Sequence, residues 1–371
     1  MIFFCNLRLY LAQFATVYPP VIFIPPIMKK LILLVFGVMV SITQVFGQFK
    51  SDYPDIPRID VHTHVAEDIS GISNYLNLGN LLREEKNIDL ALWINLGNRN
   101  TPLLNIAAVE QAGEGRMLCG IADYKAHDGL SYAPESLKKF QNQGFVGYKI
   151  WSGPWYRALE KKEDGYPYID DPAHEATFAE MERIGFMGAS IHVADPNGPF
   201  GNRTAWLADP VEYWTQINAW RNVLEKHPDL RVVMAHSNWL ICQDAQIDYL
   251  RNMLATFPNL NIDLAATFQY YHLVDRENLR SFMIEWADRI VFGTDIGNVK
   301  NEEISQRAEQ YSRAFQILET GDKVNGGFFG GPETWGLELP REVLEKIYYK
   351  NAMRLYPRVK ERLLNLGYHL D

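Results

Sequence analysis

Two histidines stand two residues apart in the run Ile59-Asp60-Val61-His62-Thr63-His64-Val65. In an extended strand alternate side chains share a face. Asp60, His62 and His64 therefore project to one side, and Ile59, Val61 and Val65 to the other. Two imidazoles at that spacing, near a strand end, are able to grip one metal ion. Alone the signal is modest, because His-X-His also occurs by chance. It gains weight from later partners: Lys149, His192, His236 and Asp295 each stand in or close a separate apolar run, and four of the nine histidines fall in such runs. Imidazole and carboxylate suit Zn²⁺ and similar divalent ions.

Each of these residues also has a plain structural reading. His192 and His236 could be core histidines satisfied by backbone. Asp295, after Phe-Gly-Thr, could cap a following helix. Lys149 could reach solvent or pair with an acid. Taken together the plain readings do poorly, because four unrelated runs would all have to end in polar groups by chance.

The elements that position these residues follow a regular order. Apolar runs at 59–65, 90–95, 117–122, 145–151, 188–193, 230–236, 260–265 and 289–295 read as eight strands. Between them, 76–86, 103–114, 134–143, 172–184, 211–227, 245–257 and 276–286 read as helices, several closed by glycine or proline. Eight strands alternating with helices predict an α/β fold, a single (β/α)₈ TIM barrel over 52–371. Closing helices at 302–319 and 340–362 flank a glycine-rich loop, Gly326–Gly336. In such a barrel function gathers at the C-terminal ends of the strands.

The composition fits a large globular core: 371 residues, 47% hydrophobic and 22% charged, with a net charge of −9. No basic patch of the kind nucleic-acid binding needs is present, and there is no repeat or low-complexity tract. Residues 28–47 have the order of a secretory signal peptide: Met28-Lys29-Lys30, an apolar run from Leu31 to Val40, then small and polar residues to Gly47. Residues 1–27 then read as an extension upstream of the better initiator, Met28. The rival reading is a membrane anchor, for which the run is short. Cleavage before Gln48 would remove three basic residues and no acid, taking the net charge from −9 to −12. The expected product is secreted or periplasmic and free of the membrane, with oligomerisation left open. Of Cys5, Cys119 and Cys242, the last two would remain, which is not a disulfide framework.

Loops at the functional rim carry aromatics and arginines: Trp151 to Arg157, Asn197 to Arg203, and Asn238-Trp239. Trp151, Trp239, Arg157 and Arg203 are suited to a flat, anionic small molecule. The tryptophans could equally pack against one another.

His62-Thr63-His64, His192, His236 and Asp295, in that order on their strands, resemble the amidohydrolase superfamily. Ile59–His64, Gly144–Ile150, Met234–Ser237, Val291–Asp295 and Asn351-Ala352-Met353-Arg354-Leu355 are most similar to its amidohydrolase-related branch, whose members include decarboxylases and lactonases. The resemblance spans about residues 56–357 and implies roles. His62, His64, His192 and Asp295 would be metal ligands. His236 would polarise the substrate or stabilise an oxyanion. Asp295 would take a proton from water activated by one Zn²⁺ or similar ion. Lys149 would contact substrate or, carbamylated, bridge a second metal. The expected enzyme is a metal-dependent hydrolase cleaving a C–O or C–N bond of a small carboxylated substrate, with non-oxidative decarboxylation on the same site as the alternative. A catalytically silent binding barrel is the reading from another class.

Overall fold

Short, almost wholly buried strand segments, several of them ending in polar groups, set the architecture by their pairing. The computed structural model describes residues 49–65, 69–126, 129–152, 167–193, 210–325 and 332–370. The 1–27 extension, the 28–47 signal peptide, Arg157, Arg203 and most of the glycine-rich loop lie outside the described residues. So do most residues of the loops after Trp151 and after His192.

The strands are β1 (Arg58–His64), β2 (Leu90–Asn95), β3 (Met117–Cys119), β4 (Ile121–Asp123), β5 (Tyr148–Trp151), β6 (Gly188–His192), β7 (Val232–Met234), β8 (Leu260–Asp263), β9 (Ile290–Val291) and β10 (Ile296–Gly297). All pair in parallel with their neighbours. Buried on both faces, they read as near-continuous apolar runs rather than alternating ones. β3 and β4 are consecutive pieces of one position in the ring. Gly120 between them donates its N–H to Asn95 O at 2.9 Å, and Ile121 donates to Gly147 O at 2.9 Å, so the ladder passes from β2 to β5 without a gap.

The ring returns to its start in the same way. β10 pairs with β1, Val61 N–H donates to Phe292 O at 3.0 Å, and Asp295 N–H donates to His62 O at 2.8 Å. Eight positions thus carry the expected eight strands of a TIM barrel. Several are shorter than expected, the sixth and eighth most of all. The sixth stops at Met234 and the eighth breaks between Val291 and Ile296, because His236 and Asp295 take left-handed backbone, φ 56° and 66°. Both residues sit just past a straight strand, where the chain turns.

Helices α1 (Ile69–Lys86), α2 (Ile106–Ala112), α3 (Leu137–Gln143), α4 (Glu175–Ile184), α5 (Pro210–Lys226), α6 (Asp244–Thr256), α7 (Arg276–Glu285) and α8 (Ile304–Glu319) form the connections. In α4 the buried residues are Thr177, Phe178 and Met181, one face of a 3.6-residue repeat. Gly185 ends it at φ 64°, the left-handed C-cap that glycine adopts without strain. The closing segment is helical over 341–355 with a π-helical stretch at Lys346–Lys350. Ile347 O there accepts from Phe292 N–H at 3.0 Å, tying this segment to the eighth position of the ring. Among the described residues no helix is long and apolar enough to cross a membrane.

The lower end of the barrel is locked by a buried ion pair. Arg58 Nη2 lies 2.8 Å from Glu319 Oε1, with the side chains 0% and 2% exposed. Ser51 Oγ and Tyr348 OH donate to the same carboxylate at 2.6 and 3.0 Å, and the guanidinium stands 5.0 Å from the Phe315 and Tyr348 ring centroids. Removing one partner of such a pair strands a buried charge, which costs about 3–5 kcal/mol. Glu319→Ala is expected to lower unfolding stability by that amount in urea titrations, with no change in metal binding at the opposite rim; a loss of well under ~1 kcal/mol, the scale of an exposed pair, would contradict it.

Candidate active site

β1 supplies the centre of the site. Asp60, His62 and His64 alternate toward the barrel interior, as strand geometry requires. Asp60 is fully buried and anchors β1 to the eighth position. It accepts from Thr294 Oγ1 at 2.5 Å, Tyr311 OH at 2.6 Å, and the N–H groups of His62 and Thr294 at 3.0 and 3.2 Å. Burial pushes its carboxyl up to about 7, against the pull of those donors.

Three ligand atoms meet above it. His62 Nε2 and His64 Nε2 are 3.1 Å apart, and Asp295 Oδ1 lies 3.4 Å from the first and 3.0 Å from the second. The opposite ring nitrogens are already committed. His62 Nδ1 lies 2.8 Å from Asp263 Oδ2, and His64 Nδ1 lies 2.7 Å from Gly97 O. A carbonyl only accepts, and a carboxylate beside an imidazole accepts, so each Nδ1 carries the proton and each Nε2 presents a lone pair. Burial, then the neighbouring Lys149, holds His62 well below its ordinary value, so its ring is neutral. Despite burial, the carboxyl of Asp295 lies well below its ordinary value and is ionised. Two lone pairs and a carboxylate oxygen thus face one point. A proton can relieve one edge of that triangle, whereas a cation relieves all three. Ligands about 2.1 Å from a metal at right or tetrahedral angles stand roughly 3.0–3.4 Å apart, which matches the observed edges. The donor set fits a divalent metal ion.

Gly97, which holds His64, is itself constrained. Its φ is 64°, and an added Cβ would stand 2.6 Å from Thr101 O. Only glycine fits that turn without displacing backbone.

The other expected residues gather around the triangle. Lys149, on β5, places Nζ 3.0 Å from His62 Nε2 and 3.2 Å from Ser190 Oγ. His192, at the end of β6, is not part of the triangle; its ring lies 4.8 Å from that of His236 and 5.7 Å from that of Trp151. His236 donates Nδ1–H to Ala265 O at 2.8 Å, and burial holds it neutral, so its Nε2 is an acceptor. Acting as an oxyanion donor would require a second proton on that ring.

His236, Ser237, Asn238 and Trp239 form one left-handed turn, with φ between 44° and 63°. Such backbone costs roughly 1–2 kcal/mol per residue outside glycine. Buried bonds offset it: His236 N–H to Asp263 Oδ1 at 2.7 Å, Ser237 Oγ–H to Asp263 O at 2.8 Å, and Tyr213 OH to Asn238 O at 2.8 Å. The turn stacks Trp239 on His236, centroids 5.0 Å apart and planes 13° from parallel.

The recess above these groups has a volume of about 400 Å³. His64, Lys149, His192, His236, Asp295, Trp151 and Trp239 line it, together with Asn98, Arg99 and Tyr124, which the sequence reading does not single out. The Arg99 guanidinium lies 5.1 Å from the Trp151 ring centroid, and Tyr124 OH is 2.8 Å from His64 Nδ1. Asp263 is the other unforeseen member. Tyr124 directly follows the third strand position and Asp263 ends the seventh, so the strand-end rule that finds His236 finds these two when applied to every strand, whereas Arg99 lies in the loop beyond the second.

Fold and site together define a metal-binding (β/α)₈ enzyme. The sequence profile described as Amidohydrolase matches residues 59–358, so the chain belongs to the amidohydrolase family and is a metal-dependent enzyme of that superfamily. No curated protein matches the chain. Among solved structures it is similar to an uncharacterised TIM-barrel protein from Bordetella bronchiseptica, at 16% identity and TM-score 0.49, covering 81% of this chain and 98% of that one. It is also similar to a 2,6-dihydroxybenzoate decarboxylase from Rhizobium (16%, TM-score 0.46, 81% and 98%). A third is a 5-carboxyvanillate decarboxylase from Sphingomonas paucimobilis (13%, TM-score 0.44, 81% and 98%). Likeness at this depth does not bear on the reaction.

Replacing His62 and His64 together by Ala removes two of the three ligand atoms. The double variant is expected to hold no metal after a mild chelator wash that leaves wild type loaded. Equal metal in the two proteins by elemental analysis would place the site elsewhere.

Proposed function

We propose that this chain decarboxylates a small, flat carboxylic acid without an oxidant. One observation carries the reading: the Lys149 ammonium is 3.0 Å from His62 Nε2, at the ligand triangle itself rather than at the pocket mouth. A carboxylate paired with Lys149 therefore lies against the triangle, and the bond beside that carboxyl is the one placed to break. Trp151 and Trp239 offer aromatic faces for the rest of the molecule. Arg99, laid on Trp151, suits a second anionic group at the outer end.

His62, His64 and Asp295 would hold a divalent ion, Zn²⁺ in this proposal, which when bound would supply a Lewis acid. The C–CO₂ bond breaks with its electron pair left on carbon, carbon dioxide departs, and a proton from solvent restores the carbon. Asp295, with 31% of its side chain exposed, stands between triangle and solvent and relays that proton.

Hydrolysis of a C–O or C–N bond is the second reading, favoured by Asp295 being held as a carboxylate. An ionised carboxyl at the solvent side of the centre is a base for water. In that case Arg99, not Lys149, would hold the substrate's carboxylate.

Metal-loaded protein screened against aromatic and unsaturated carboxylic acids and against lactones separates the two. The proposal expects carbon dioxide release with no oxygen from ¹⁸O-water in the organic product. Lys149→Ala is expected to lower kcat by ~10²–10³, the usual cost of a lost charge-stabilising donor. Incorporation of ¹⁸O without carbon dioxide would overturn decarboxylation in favour of hydrolysis.

A further inference from the structure

We infer that Asp263 is a positioning residue that sets metal affinity by deciding which nitrogen of His62 carries the proton. The inference rests on the reading of His62, His64 and Asp295 as a metal site. Asp263 ends β8, is completely buried, and touches none of the three ligand atoms. His62, His236 and Asp263 do form a second group whose potential ligand atoms lie within 4.8 Å of one another. Its bonding shows a different use. Asp263 Oδ1 accepts the backbone N–H of His236 at 2.7 Å and of Ala265 at 3.1 Å, while Oδ2 faces His62 Nδ1 at 2.8 Å. The carboxylate is filled by donors on both oxygens.

Each contact has a consequence. With Oδ2 as acceptor, the His62 proton stays on Nδ1 and the Nε2 lone pair points at His64 and Asp295. With Oδ1 holding two backbone N–H groups, the start of the left-handed turn is fixed, and with it His236 and Trp239. One side chain thus orients a ligand and anchors the wall of the recess beside it.

Asp263→Asn isolates the first role, because the amide has the carboxylate's shape but only one acceptor oxygen. The two backbone donors claim that oxygen. Turning the amide over would set its NH₂ against both of them. The NH₂ group therefore faces His62 Nδ1, which must become an acceptor, and the proton moves to Nε2. That proton then points at His64 Nε2 and Asp295 Oδ1, 3.1 and 3.4 Å away, where the cation would sit.

Two measurements test this on the full chain. ¹⁵N–¹H correlation spectra of the metal-free protein, with His62 assigned by comparison with His62→Gln, are expected to show the Nδ1–H form in wild type and the Nε2–H form in Asp263→Asn. Equilibrium dialysis against Zn²⁺ and Mn²⁺ is expected to show affinity lowered about 10–100-fold in Asp263→Asn, the usual effect of a lost partner behind a ligating histidine. The Nε2–H form in wild type would overturn the inference even if the variant failed to fold. Unchanged affinity in a folded Asp263→Asn would overturn it and leave the metal reading intact. Wild type that binds neither ion would overturn both.

Discussion

Three electron-pair donors are pressed together at the top of this barrel, and their proton-bearing alternatives are closed off. His62 and His64 each spend the Nδ1 proton on a fixed acceptor, Asp263 in one case and Gly97 O in the other. Asp295 completes the triangle from the far side of the ring seam. Lone pairs and a carboxylate facing one another at 3.0–3.4 Å repel unless something positive lies among them. Much of the surrounding structure serves that arrangement. Asp60 binds β1 to Thr294, the residue before Asp295. The glycine turn at 97 holds the His64 carbonyl partner, and Lys149 brings a charge to the edge of the triangle.

The barrel seam is what makes the triangle possible. His62 and Asp295 are far apart in sequence, and the backbone bond from Asp295 N–H to His62 O joins the last position of the ring to the first. Left-handed backbone at Asp295, between β9 and β10, lets the carboxylate turn inward. The same device appears at the sixth position, where four consecutive left-handed residues present His236 and Trp239. Strain of that kind persists only where surrounding bonds over-determine it. Here Asp263, Tyr213 and the Ala265 carbonyl do so.

Much of this was legible in the sequence, for a physical reason. A polar residue that closes an apolar strand has to be accommodated at the rim, so His62, His64, Lys149, His192, His236 and Asp295 stood out, and all of them line or bound the recess. The alternation of short apolar runs with helical stretches was equally plain, because parallel strands covered on both faces keep a continuous apolar signature. Strand lengths at the sixth and eighth positions were overestimated. Nothing in His236-Ser237-Asn238-Trp239 announces positive φ, since the usual marker, glycine, is absent. Asp263 escaped notice because it and Asn261 make an ordinary polar alternation. Its importance lies in contacts with His62 and His236, which only the closed ring brings together. Arg99 reaches the pocket from a loop whose path the sequence does not dictate. His192 stands apart from the triangle, its ring beside those of His236 and Trp151, so three of the four expected ligands meet at one point.

The most direct test is crystallographic. Crystals of the metal-loaded protein, measured on both sides of the absorption edge of the added ion, are predicted to show one anomalous peak about 2.0–2.2 Å from His62 Nε2, His64 Nε2 and Asp295 Oδ1. A triangle that stays free of anomalous density at saturating metal, or a peak bound elsewhere in the chain, would contradict the account.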